Sequence, residues 1–81
     1  MKTQDFEEGD DVVFMFLGDT LIEVFENEDI ELHKPVEEAF AKGDEIDVTV
    51  CSADEHTIGI QFGDGSIAFI HTGSVEFLRF S

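Results

Sequence analysis

"TIGIQFGDGSIAFIH", Thr57–His71, holds one formal charge, Asp64, in a chain of 81 residues whose net charge is −16. Ile58, Ile60 and Phe62 recur at every second position, which puts them on one face of an extended strand. Gly59 falls on the opposite face, where the missing side chain leaves room for something to approach closely. "GDGS", Gly63–Ser66, supplies glycines able to take positive φ and reads as a hairpin turn. "IAFIH" is then the returning strand. This strand–turn–strand unit sets an all-β reading for the chain.

Working outward, the same period continues. "EIDVTVC" places Ile46, Val48 and Val50 on one side and Asp47, Thr49 and Cys51 on the other. "DVVFMFL", Asp11–Leu17, is a dense β-branched and aromatic run, as in a strand buried on both faces. Gly18-Asp19 is a tight-turn pair, so "TLIEVFE" is expected as the hairpin partner of that run. "DIELH", Asp29–His33, alternates, and "VEFLRF" closes the set. "KPVEEAFAKGD" is the one helix-like piece: Pro35 suits a first helical position, Glu37 and Glu38 a first turn, and Gly43 a stop. The expected fold is a small antiparallel β-sandwich of about seven short strands. Residues 1–81 form a single domain, with 1–9 expected as a flexible acidic N-terminus.

Charge excludes more than it assigns. Twenty acidic residues face four basic ones, Lys2, Lys34, Lys42 and Arg79. Nucleic-acid backbones are held by clustered Lys and Arg, so direct nucleic-acid binding is not expected, and anionic membrane surfaces are disfavoured for the same reason. A basic protein partner is favoured. Residues 1–55 carry 18 acidic and 3 basic side chains, whereas residues 56–81 carry only Asp64, Glu76 and Arg79. The last third therefore reads either as central core strands or as a surface kept neutral for a second copy, since protein interfaces lose charge and gain aromatics. Ile58, Gly59, Ile60, Phe62, Phe69 and Phe77 are the candidate interface residues.

The opening "MKTQDFEEGDD" has no apolar core of a secretory signal, and no run reaches the ~20 apolar residues of a membrane span. Cys51 has no second cysteine to bridge. A cytoplasmic protein is expected.

No constellation for catalysis stands out, and enzyme activity is not expected. His33, His56 and His71 lack the paired spacing of a metal site, so neither metal nor cofactor is expected. "GDGS" lacks the regularly spaced oxygen ligands of a calcium loop and the following helix of a phosphate cradle. The density of carboxylates is itself a candidate feature: an acidic surface can mimic nucleic acid and block a DNA- or RNA-binding protein.

The order of residues from Lys42 onward resembles the trp RNA-binding attenuation protein (TRAP) family. The matching positions are Lys42-Gly43-Asp44, Glu55-His56-Thr57, Ile60 and Phe62, then Thr72 and Glu76, with "DVVFMF" similar to the family's first strand and His33 at a comparable histidine. The resemblance implies a homo-oligomer, a closed ring of roughly eleven copies whose sheets run on from one subunit to the next. It also implies an intersubunit ligand pocket, for which Asn27, Asp29, Asp54, His56 and Thr57 are the candidates. The family's RNA-reading cations would fall at Gln61, Gly63 and Ala39, so all three are absent. Asn27, Glu28 and Asp29 replace the small hydroxyl residues of the family's loop, which puts tryptophan binding in doubt. The resulting expectation is a non-catalytic, ring-forming regulatory or adaptor protein without direct RNA contact; the alternative is the acidic nucleic-acid mimic.

Overall fold

The computed structural model describes residues 5–26 and 35–81. Seven strands, β1 (Asp11–Phe16), β2 (Thr20–Phe25), β3 (Val36–Phe40), β4 (Glu45–Ala53), β5 (Thr57–Gln61), β6 (Ile67–His71) and β7 (Val75–Phe80), form one sheet in the order β3-β2-β6-β5-β4-β1-β7. Every pairing is antiparallel. A short 3-10 turn, Thr72–Ser74, is inserted before β7. No α-helix occurs among the described residues, and none of their helices is long and apolar enough to cross a membrane.

The alternation read from the sequence decides which face is inward. Val12, Phe14 and Phe16 of β1, Ile22 and Val24 of β2, Ile46, Val48 and Val50 of β4, Ile58 and Ile60 of β5, and Ala68 and Ile70 of β6 join one buried core with Phe6 and Val75. The expected two-layer sandwich is replaced by one sheet coiled around that core. The coil brings the β3 edge back to β1, where the rings of Phe16 and Phe40 stack 4.5 Å apart at 9°. A strongly twisted sheet can enclose its own apolar face in this way without a second sheet.

Three local expectations are corrected. Gly18-Asp19 does not close a β1–β2 hairpin, because β1 pairs with β4 and β7 while β2 pairs with β3 and β6. The chain is carried across instead. The Leu17 N–H donates to the Ser74 carbonyl (2.9 Å), and Asp19 Oδ1 accepts from the Lys42 N–H (3.2 Å). The helix expected in "KPVEEAFAKGD" is strand β3, in register with β2 from Val24↔Val36 to Thr20↔Phe40. A helix of two turns is marginal alone in water, and five ladder pairs plus the Phe16–Phe40 stack outweigh local propensity. Gly43 does mark the end of the element, at φ 91°, with the Asp44 carboxylate accepting the Ala41 N–H (2.8 Å). Finally, within residues 1–9, expected as a flexible start, Phe6 is tied to the core. Its ring is buried edge-on against Phe14 at 5.2 Å, and the Gly9 N–H donates to the Val50 carbonyl at 2.7 Å. The strand expected at Asp29–His33 lies outside the described residues.

Candidate functional surface

Among the proposed pocket residues, Asp54, His56 and Thr57 are brought together, in the β4–β5 turn. Asp54 Oδ1 accepts the backbone N–H groups of His56 (2.8 Å) and Thr57 (2.7 Å). Those two bonds favour the charged carboxylate and hold its pKa below the ordinary value. The His56 carbonyl accepts from the Thr72 N–H (2.9 Å), and the Thr72 hydroxyl, in a buried residue, donates to the Glu55 carbonyl (3.0 Å). Asp54 is thus the acceptor that shapes a turn, and the turn is clamped to the 3-10 segment. Asn27 and Asp29 lie outside the described residues.

The β5–β6 turn is built by the same device. Asp64 accepts from the Ser66 hydroxyl and N–H, which lower its pKa, and Gly65 takes φ 91°.

The candidate interface residues divide sharply. Ile58 and Ile60 are fully buried in the chain's own core. Gly59 is covered from within: a Cβ there would stand 3.2 Å from Phe69 Cε1 and 2.5 Å from Ser52 Oγ. The close approach that its missing side chain permits is intramolecular. Phe62 and Phe77 are partly buried and pack on the same core. Only Phe69 of the six presents half of its surface. The neutrality of Thr57–His71 follows chiefly from position, since β5 and β6 are central strands.

Other residues carry the exposed apolar surface: Leu21 (61%), Phe80 (57%), Leu17 (44%) and Val36 (43%), alongside Phe69 (49%). Val36 lies on edge strand β3 and Phe80 on edge strand β7. Leu21 and Phe69 face outward on β2 and β6, opposite in parity to the buried Ile22, Val24, Ala68 and Ile70. Sequence reading missed Val36 because its segment looked helical. It missed Leu21 although the adjacent pair Leu21-Ile22 cannot place both side chains inward.

β2 and β6 are joined at only two positions, Val24↔Ala68 and Phe25↔Ile67. Beyond these, toward Thr20 and His71, the strands part around a cleft of about 340 Å³ lined by Leu21, Ile22, Glu23, Phe69, Ile70 and His71, among others. A second cleft of about 560 Å³ lies beside Leu21, Ala39 and Phe40. Neither is lined by Asp54, His56 or Thr57. Gln61, Gly63 and Ala39, the places of the absent cations, fall on β5, in the β5–β6 turn and on β3. Among the described residues one ion pair is formed, Arg79–Glu45 (3.1 Å), and no group of three metal-ligating side chains gathers.

No protein-family model matches the chain, and no curated protein or solved structure matches it.

Proposed function

We propose that this chain is a non-catalytic, self-assembling β-module that works as a regulator or adaptor through protein contacts. The observation that carries the reading is that the sheet is open among the described residues: β3 and β7 are its two ends, and each exposes a large apolar side chain, Val36 and Phe80. A free edge offers a row of backbone donors and acceptors for another strand. Pairing β3 of one copy with β7 of the next is a heterologous contact, and such contacts close into a ring when the rotation allows. β3 carries Glu37 and Glu38, whereas β7 carries Glu76 and Arg79 and sums to zero, so a β3–β7 pairing brings less like-charge repulsion than a β3–β3 pairing. A TRAP-like ring of roughly eleven copies is the closed form the sequence resemblance suggests.

Charge sets the condition. Every copy adds a net charge of −16, so assembly should tighten with salt. Light scattering after size exclusion tests the reading. A mass of roughly 100 kDa, from about eleven chains of 9.1 kDa, is expected at physiological salt. A mass of one or two chains overturns the ring and leaves the acidic nucleic-acid mimic as the better reading.

A further inference from the structure

We propose that the wedge between β2 and β6 is a docking groove for an extended segment of a partner protein in which basic and apolar residues alternate. The groove is distinct from the outer edges of β3 and β7, so it stands whether or not copies pair there.

The first observation is the interrupted ladder. β2 runs from Thr20 to Phe25, yet only Val24 and Phe25 pair with β6. The stretch Thr20–Glu23 is paired with β3 on one side and, among the described residues, has no strand partner on its β6 side. Phe69, Ile70 and His71 pair with β5 and, among the described residues, have no strand partner on their β2 side. An incoming extended segment can satisfy such backbone groups by adding to the ladder.

The second observation is what lines the gap. Ile22 and Ile70 belong to the inward-facing set, whereas Leu21, Glu23 and Phe69 belong to the outward-facing set. A strand lying there turns alternate side chains to the two sides. Its inward side chains approach the core at Ile22 and Ile70, both buried but for the edge they turn to the cleft, which favours small apolar residues. Its outward side chains meet Glu23, with Leu21 and Phe69 as apolar support.

The third observation fixes the sign of the partner. Glu23 and Glu37 stand directly opposite each other on β2 and β3. Like charges in that relation destabilise a sheet. A Lys or Arg placed beside Glu23 relieves the repulsion, and its aliphatic stem can lie along Leu21 and Phe69. A second copy is the poorer occupant, because it brings another net −16.

The test uses the full chain, isotopically labelled, titrated with a synthetic peptide of about eight residues alternating Lys and Val, a length that spans the free stretch with overhang. A peptide of the same composition with its lysines and valines in separate blocks, and an alternating Glu–Val peptide, serve as controls. Amide shifts confined to Thr20–Glu23 and Phe69–His71 are expected, produced by the alternating basic peptide and weakened by salt. Glu23→Lys should weaken binding about tenfold or more, as expected for a like-charge contact at a docking site. Glu37→Lys should act in the same direction, and both variants should stay folded because each removes the Glu23–Glu37 repulsion. Equal binding of the block peptide, shifts confined to β3 or β7, or no binding at about 1 mM peptide, the weak end of specific affinity, would overturn the proposal. So would amides of Thr20–Glu23 protected from exchange in the free protein by a second copy.

Discussion

Phe40, on the edge strand β3, lies flat on Phe16 of β1, with ring centroids 4.5 Å apart. The two strands are five places apart in the sheet order. This contact is therefore where the coiled sheet meets itself. Phe16 is fully buried, so Phe16→Ala should cost about 3–5 kcal/mol by loss of burial and a residual cavity. Phe40 is only half-buried, and Phe40→Ala should cost about half as much. Urea unfolding of both single variants and the double variant should give a coupling of about 0.5–1.5 kcal/mol. Additive losses would mean that the coil is closed by other contacts.

Gly59 poses a contest of signs. Alanine in a strand interior gains about 0.5–1 kcal/mol over glycine through backbone entropy. Its Cβ, however, would press on Phe69 Cε1 at 3.2 Å and on the Ser52 hydroxyl. Overpacking typically costs about 1–3 kcal/mol, so Gly59→Ala should be net destabilising. In a Ser52→Ala, Phe69→Ala background the obstruction is gone, and the same substitution should become stabilising. Thermal unfolding of the four proteins reads the change of sign; destabilisation in both backgrounds would count against the Phe69 contact.

Acid stability should report the two turn aspartates. Asp54 is lowered by N–H donation from His56 and Thr57, and Asp64 by the Ser66 hydroxyl and N–H. A carboxylate with a depressed folded pKa stabilises fully above its unfolded pKa, here near 3.8. That contribution is lost as pH falls through the lower folded value. Urea midpoints should therefore drop below pH 4, and Asp54→Asn and Asp64→Asn should each make the drop shallower. An unchanged slope in both variants would contradict the role given to these bonds.

Edge pairing is tested by Val36→Lys and Phe80→Lys. A lysine on an edge strand discourages strand addition and replaces the exposed apolar group. Each variant should lower the mass seen by light scattering while leaving the far-ultraviolet spectrum unchanged. An unaltered assembly mass would place the contact elsewhere.

Screening should help the isolated fold as well. The one ion pair among the described residues is the exposed Arg79–Glu45 pair, and such pairs contribute about 0–1 kcal/mol against the carboxylate repulsion. The melting temperature should rise as sodium chloride goes from about 10 mM to 500 mM, a range over which the Debye length falls from ~30 Å to a few Å. Arg79→Gln should change it little.

Residue alternation by itself determined the all-β class, the strands β1, β2 and β4 to β7, and the inward faces of β4 and β5, because a side chain's face in a strand follows from counting by two. It also marked the Asp64–Gly65 turn and the neutrality of Thr57–His71. The same rule carries no information about which strand lies beside which. β1 and β2 looked like hairpin partners across Gly18-Asp19 and are not. "VEEAF" looked helical and became an edge strand, since its ladder with β2 forms only once the chain is assembled. Ile58 and Ile60 looked equally suited to a core or an interface, and only the sheet order, with β5 at its centre, assigned them to the core. The β2–β6 cleft was likewise invisible in the sequence, because it arises from two strands parting after two pairs, a property of coiling rather than of any residue type.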